Sequence, residues 1–299
     1  TNFDNLSPSE SDTLQKKLLL RKKTFDLKNL ARENYLKFVK QVWPEFIEGP
    51  HHVQIAKKFQ ALAEGKIKRL IVNMPPRHTK SEFASYLFPA WMMGRNPKLK
   101  IIQTTHTAEL SYRFGRKVRN LMEENTFQDI FDDIKLSQDS KAAGRWETNQ
   151  GGEYFAAGVG GAITGRGADL LIIDDPHSEQ DALSETAMEN AYEWYTSGPR
   201  QRLQPGGRIV IVMTRWSTKD LTGQLMKAQS DVKADQWDVI EFPAIMPNEK
   251  PVWPEYWKLD ELESVKASLS VAKWNAQWQQ NPTSEEGSII KREYWKIWD

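Results

Sequence analysis

The stretch LIVNMPPRHTKSEF, residues 70 to 83, decides the reading of this chain. Leu70 to Met74 is a short apolar run of the kind that forms a strand buried on both faces. Pro75 and Pro76 end it, since proline lacks the amide donor that a central strand needs. A helix is predicted from about Lys80 to Gly94. A buried strand that runs through a tight loop into a helix aims loop N–H groups and the positive helix N-terminus at one point, a geometry that cradles phosphate. Lys80 would then reach the β- and γ-phosphates, and the Ser81 hydroxyl would hold Mg²⁺. The G-x-x-x-x-G-K-[ST] pattern is not met, because Met74 stands at its first glycine and Thr79 at its second. Taken alone, the stretch reads either as a phosphate loop or as a structural strand-to-helix turn. Arg77 adds a cation that could touch phosphate. His78 is either a further loop contact or a histidine with no catalytic task.

Two more apolar runs end in polar residues of the right chemistry. Leu170 to Ile173 delivers two adjacent carboxylates, Asp174 and Asp175, to the C-terminal end of a strand, where an open α/β sheet places its ligands. One carboxylate can hold Mg²⁺ through water, and the next can orient or deprotonate an attacking water. Two acids at a strand end are also ordinary turn residues. Ile209 to Met213 ends in Thr214, Arg215 and Trp216, where a hydroxyl could sense a γ-phosphate.

Around these runs the chain alternates strands and helices, which favours a parallel α/β sheet. Val53 to Glu64 reads as a helix stopped by Gly65, Leu99 to Thr105 as a strand, and Ala108 to about Glu123 as an amphipathic helix. Between Ala143 and Gly167 the glycine-rich sequence favours short strands and tight turns. There is no internal repeat. Residues 15 to 40 carry nine basic and two acidic side chains among apolar residues such as Leu18, Leu27, Leu30 and Phe38; they form either a solvated face on docking helices or a nucleic-acid or partner surface. Half of the 12 tryptophans follow residue 252, namely Trp253, Trp257, Trp274, Trp278, Trp295 and Trp298. With Pro251, Pro254 and Pro282 among them, they suggest an arm wrapped on a core, with Trp274 and Trp278 packing on one helix.

Bulk composition excludes several classes. The formal net charge of the 299 residues is +1, so a polyanion must be gripped by local basic patches. The chain has no cysteine, which excludes disulfides and thiolate zinc sites and suits a reducing cytoplasm. The most apolar stretch, Phe83 to Met93, is too short for a membrane span and is broken by Ser85 and Pro89. The opening TNFDNLSPSESD lacks the pattern of a secretory signal.

The three elements in this order resemble the large terminase subunit of tailed bacteriophages, the motor that packages DNA into a prohead. MPPRHTKSE is similar to that family's deviant Walker A loop, usually written PPRHGKSE; LLIIDDP resembles its Walker B strand and VMTRW its coupling motif. The flanks agree: HHVQIAKKF, FGRKVRNLM, TGRGADLL and WNAQWQQNPTSEEGSIIKREYW. The resemblance implies a RecA-like (ASCE-type P-loop) sheet with helices on both faces, occupying residues 46–250. A helical segment at 1–45 would precede it, and a Trp-rich arm at 251–299 would lead toward a nuclease domain.

By the same resemblance, Lys80 and Ser81 bind ATP and Mg²⁺ within the loop from Arg77 through His78 and Thr79. Asp174 is the Mg²⁺ carboxylate, Asp175 the catalytic one and Thr214 the coupling residue. Gln54 is a candidate for reading adenine. Arg166, in TGRG, is either an arginine inserted into a neighbour's site or a structural residue of a glycine-rich turn. Glu179 is an alternative to Asp175, because many members carry the longer glutamate. The implied partners are double-stranded DNA, the portal of the prohead, a small terminase subunit and further copies in a ring, working in the host cytoplasm. The acids after Thr214, among them Asp220, Asp238, Glu241 and Asp260, show no two-metal placement, so nuclease activity is not expected in this chain. A helicase would need a second RecA-like domain, for which too few residues follow Thr214. A degenerate loop that binds without hydrolysis is the other alternative, and Thr79 is its best support.

Overall fold

A computed structural model describes residues 8–283. Eight strands form one sheet: β1 (Arg69–Asn73), β2 (Lys100–Thr105), β3 (Leu136–Ala142), β4 (Arg145–Thr148), β5 (Glu153–Gly158), β6 (Ala168–Asp174), β7 (Leu203–Met213) and β8 (Asp238–Glu241). Their spatial order is β3-β4-β5-β2-β6-β7-β1-β8. The pairs from β5 across to β8 are all parallel. The sheet is thus mostly parallel, as expected; at the other edge β3, β4 and β5 pair antiparallel. The tight turns that join them allow no crossover, so neighbouring strands must reverse direction.

Alternation along the central strands sets the layers. Leu70, Val72, Leu170, Ile172, Val210 and Val212 enter one core, whereas Ile71, Leu171, Ile173, Ile209 and Ile211 enter the other. Successive side chains of a strand point to opposite faces, so an uninterrupted apolar run requires a cover on both. On the first face lie α1 (Pro8–Glu33), α2 (Tyr35–Val42), α3 (Pro50–Ala63), α4 (Phe88–Arg95), α5 (Ala108–Glu123) and α6 (Asn125–Ile130). On the second lie α7 (Glu185–Ser197) and α8 (Leu221–Ala228). Further along, α9 (Leu259–Ser268) buries Leu262 against Ala244, Trp274 and Trp278.

The helix predicted at Lys80 begins there, but Glu82–Leu87 is π-helical before α4 continues. Its wider turn is anchored by Tyr35, whose buried hydroxyl donates to the Phe83 carbonyl at 2.6 Å. Helix α5 has the expected bounds, capped by the Thr107 hydroxyl, which accepts from the Leu110 N–H. The antiparallel edge is tied to it by Trp146, which stacks on Tyr154 at 4.8 Å and donates from Nε1 to the Gly115 carbonyl at 3.0 Å. Truncating so large a buried ring costs on the order of 3–5 kcal/mol.

The basic N-terminal stretch is divided. Near the end of α1, Lys28 pairs with Asp129 and Arg32 with Asp132, while Leu18, Leu19, Leu20 and Phe25 are exposed. In the C-terminal arm, Trp274 and Trp278 stack on each other at 5.8 Å, the packing that their spacing suggests. Trp295 and Trp298 lie outside the described residues. Among the described residues no helix is long and apolar enough to cross a membrane.

Candidate nucleotide site

Parallel pairing brings the ends of β1, β6 and β7 to one edge of the sheet. Register places Asn73 beside Met213 and Asp174 beside Val212, with β7 lying between β1 and β6. Three loops that are remote in sequence therefore leave the same edge side by side, the position at which open α/β sheets hold ligands.

Lys80, 8% exposed at its side chain, is the hub. Its Nζ donates to the Thr214 hydroxyl at 3.0 Å and lies 3.0 Å from Asp175 Oδ2. Thr214 grips both neighbours: its N–H donates to Asp175 Oδ1 at 2.7 Å and its hydroxyl to the Met74 carbonyl at 3.2 Å. Asp175 is in the left-handed region at φ 41°, a conformation that aspartate tolerates better than most residues. Glu179 is exposed on the following turn. Of the two candidate acids, Asp175 is the one that touches Lys80 and Thr214.

Asp174 is buried behind this group. Ser81 donates to its Oδ1 at 2.9 Å and Ser85 to its Oδ2 at 2.7 Å. Burial, with the neighbouring Asp175 charge second, pushes the carboxyl up to about 7, against the two serine hydroxyls and Lys80. Burial and the neighbouring Asp175 charge both disfavour the charged form, so this carboxyl holds its proton more readily than an exposed one.

The loop itself carries strain. Arg77 and Thr79 both have positive φ, 61° and 67°. A β-branched residue there is a steric outlier, costing on the order of 1–3 kcal/mol, which glycine would avoid. The Thr79 hydroxyl donates to the His78 carbonyl at 2.6 Å and meets His52 Nε2 at 2.6 Å. Arg77 is exposed, free to face solvent or a ligand. The His78 ring is instead buried: its Nδ1 bonds the Pro76 carbonyl at 2.8 Å, and it stacks on Trp257 with ring centroids 5.9 Å apart. Its side chain thus packs against the C-terminal arm, leaving its backbone to shape the loop.

Gln54 lies on the exposed side of α3. Arg166 is at the other end of the sheet. It precedes β6, pairs with Glu153 at 3.5 Å and lies over the Phe155 ring at 3.9 Å. The length of β6, whose last residue is Asp174, separates the two by roughly 20 Å. Arg166 cannot serve the site of its own chain.

The backbone has counterparts among solved structures. The large terminase of bacteriophage HK97 superposes with a TM-score of 0.55 at 11% identity, over 83% of this chain and 54% of that one. This chain shares its fold with about half of that terminase. The large terminase of a thermophilic bacteriophage, solved in complex with ATP-γ-S, gives a TM-score of 0.48 at 10% identity, over 77% of this chain and 53% of that one. The chain thus spans about half the length of these terminases. No protein-family model matches the sequence, and no curated protein matches it.

Within this fold, Ser85 has a part that sequence did not single out, and Arg215, Asp220 and Glu241, named from sequence, form a network that it did not foresee. Ser85 joins Ser81 on Asp174 because both project from the same side of the helix that leaves the loop. Arg215 follows Thr214 and donates from Nε to Asp220 at 3.0 Å and from Nη1 to Glu241 at 3.1 Å. Glu241 also accepts from Asn73, whose side-chain oxygen accepts from Thr222. Asp220 is fully buried and caps α8 by accepting from the Gly223 N–H. The ends of β1, β7 and β8 are thereby locked together beside Thr214. The sequence signal for this network was the arginine in VMTRW.

Proposed function

We propose that this chain is the ATPase module of a phage DNA-packaging motor, hydrolysing ATP with Mg²⁺ to drive double-stranded DNA into a prohead. The reading is carried by one observation: Lys80, Asp175 and Thr214, from three loops, meet within 3.0 Å at the C-terminal edge of a terminase-like sheet. The terminase fold supports the motor context. The portal, a small subunit, a ring of like subunits and a site of work in the host cytoplasm belong to the same proposal.

The chain's own residues suggest how the site is used. Lys80 in its present position neutralises Asp175. A triphosphate in the loop would attract the ammonium and free Asp175 Oδ2, while Thr214 N–H keeps the carboxylate aimed. Asp175 then accepts the proton of the attacking water, and Lys80 balances the charge that grows on the phosphate oxygens. Asp174 and Ser81, 2.9 Å apart, offer hard oxygens suited to Mg²⁺, the cation displacing the proton that burial favours on Asp174. When bound, Mg²⁺ would neutralise phosphate charge. Among the described residues no group of three or more His, Cys, Asp or Glu side chains is placed to hold a metal ion, so phosphate oxygens and water would complete its shell.

Thr214 would report the state of the phosphate, because it touches Lys80 directly and is continuous with the Arg215, Asp220 and Glu241 network. Arg77 would contact phosphate from the exposed side of the loop, and Gln54 would meet the adenine. Arg166 would complete the site of a neighbouring subunit. Steady-state release of phosphate from ATP by the purified chain, with and without duplex DNA, tests the reading. Nucleotide binding without turnover under every condition would leave a binding module in place of a motor.

A further inference from the structure

Thr79 occupies a backbone conformation that suits glycine, and the structure carries a fitted device beside it. His52 is fully buried, between the ring of Phe83 at 5.1 Å and those of Phe46 and Trp253, both at 4.8 Å. Its Nδ1 accepts the Gly49 N–H at 2.8 Å. In a neutral imidazole one ring nitrogen accepts and the other donates, so Nε2 carries the proton and donates to the Thr79 hydroxyl at 2.6 Å. That hydroxyl donates its own proton to the His78 carbonyl at 2.6 Å. Each donor in this chain has one acceptor, and the direction is set at its first step by a backbone amide. Burial holds His52 far below its ordinary range, at about 2, which agrees with the neutral tautomer.

We propose that His52 is a positioning residue of the phosphate loop: it fixes Thr79 in the left-handed conformation through its hydroxyl and so presets the loop that ends in Lys80. Glycine needs no such clamp at this φ. The inference rests on the nucleotide reading above, since the loop's task is taken to be phosphate binding. The value of His52 then depends on the residue at position 79, which phosphate binding alone does not require.

The experiment is a double-mutant cycle in the full chain, read as the Kd for ATP in the presence of Mg²⁺ by calorimetry. His52→Leu should weaken binding about tenfold when Thr79 is present, because the clamp is lost. In the Thr79→Gly background the same change should cost less than about threefold, since no hydroxyl remains to be held. His52→Gln, whose amide nitrogen can stand near the place of Nε2, should recover part of the loss. An equal loss in both backgrounds would show that His52 only fills space among the aromatic rings, and would overturn the proposal. If the His52 variants fail to fold, Thr79→Val decides, because it keeps the shape and removes the acceptor. Affinity unchanged from the parent overturns the proposal, and a fall of about tenfold supports it. Failure of the nucleotide reading is visible separately, as a parent chain that does not bind ATP at all.

Discussion

Lys80 Nζ and Asp175 Oδ2 lie 3.0 Å apart, so the cation and the carboxylate that are proposed to act on ATP hold each other. On the proposed reading, a bound phosphate would compete with the carboxylate for one ammonium. The Thr214 N–H, at 2.7 Å from Asp175 Oδ1, would keep the carboxylate in place when the two separate.

Removal of the cation is the first test. Lys80→Ala should lower both ATP affinity and turnover, with on the order of 3 kcal/mol of transition-state stabilisation lost. The fold should survive, as a thermal melt can check. Turnover equal to that of the parent would mean that the loop has been wrongly assigned.

The two carboxylates at the end of β6 should behave differently. Asp174→Asn should weaken Mg²⁺-dependent nucleotide binding, whereas Asp175→Asn should bind nucleotide and stop the chemistry. Glu179→Gln, on an exposed turn, should remain active. A dead Glu179→Gln beside an active Asp175→Asn would transfer the role of base to Glu179.

Ser85 contributes through Asp174. Ser85→Ala deletes the 2.7 Å donor to Oδ2 and leaves the buried carboxylate with less support for its charged form. The Mg²⁺ concentration that gives half-maximal ATP turnover should rise several-fold while the maximal rate changes little. A lowered maximal rate with no shift in Mg²⁺ demand would place Ser85 elsewhere in the mechanism.

Arg166 is testable in mixed assemblies. An arginine that completes a neighbour's site is worth roughly 10³ or more in rate, because it meets charge that appears only in the transition state. Rings mixed from Arg166→Ala and Asp175→Asn subunits should regain ATPase activity at interfaces where one supplies the arginine and the other the carboxylate. Rings that assemble and stay inactive would leave Arg166 with only its local partners, Glu153 and Phe155.

Acid should unfold the nucleotide-free chain early. Burial holds His51, His52 and His78 at about 3, 2 and 4, below the ordinary 6.5, so near pH 5 each carries a proton in the unfolded chain and lacks it in the folded one. Stability from these groups is complete above pH 6.5 and is lost as pH falls toward their folded values, at up to about 1.4 kcal/mol per unit for each. Asp174, raised to about 7, acts oppositely: the folded chain holds its proton between about pH 4 and 7, so its contribution falls as pH rises. Three groups outweigh one. Urea midpoints should drop steeply between pH 6.5 and 5, and His78→Phe should flatten the slope. Midpoints independent of pH across that window would contradict the buried neutral cluster.

Much of the site was legible in sequence because it is built from local signals. Apolar runs at Leu70, Leu170 and Ile209 read as strands, since burial on both faces demands continuous hydrophobicity. Lys80, Ser81, Asp174, Asp175 and Thr214 stand out because each lies on or close after such a run. The sheet edges were harder: β4 and β8 are short and only partly buried, so their patterns are weak.

Pairings across the fold were decided only by tertiary structure. Nothing in the sequence brings His52 to Thr79, Ser85 to Asp174, or Trp257 against His78; each partner comes from a different element, and their meeting depends on how α3 and the C-terminal arm pack around the loop. The location of Arg166 likewise follows from strand direction. It lies just eight residues before Asp174, yet an extended strand carries those residues to opposite ends of the sheet. Strands and their terminal chemistry are properties of local sequence, because burial and hydrogen bonding constrain each segment on its own. The strand order and the contacts between loops arise only when those segments share one core.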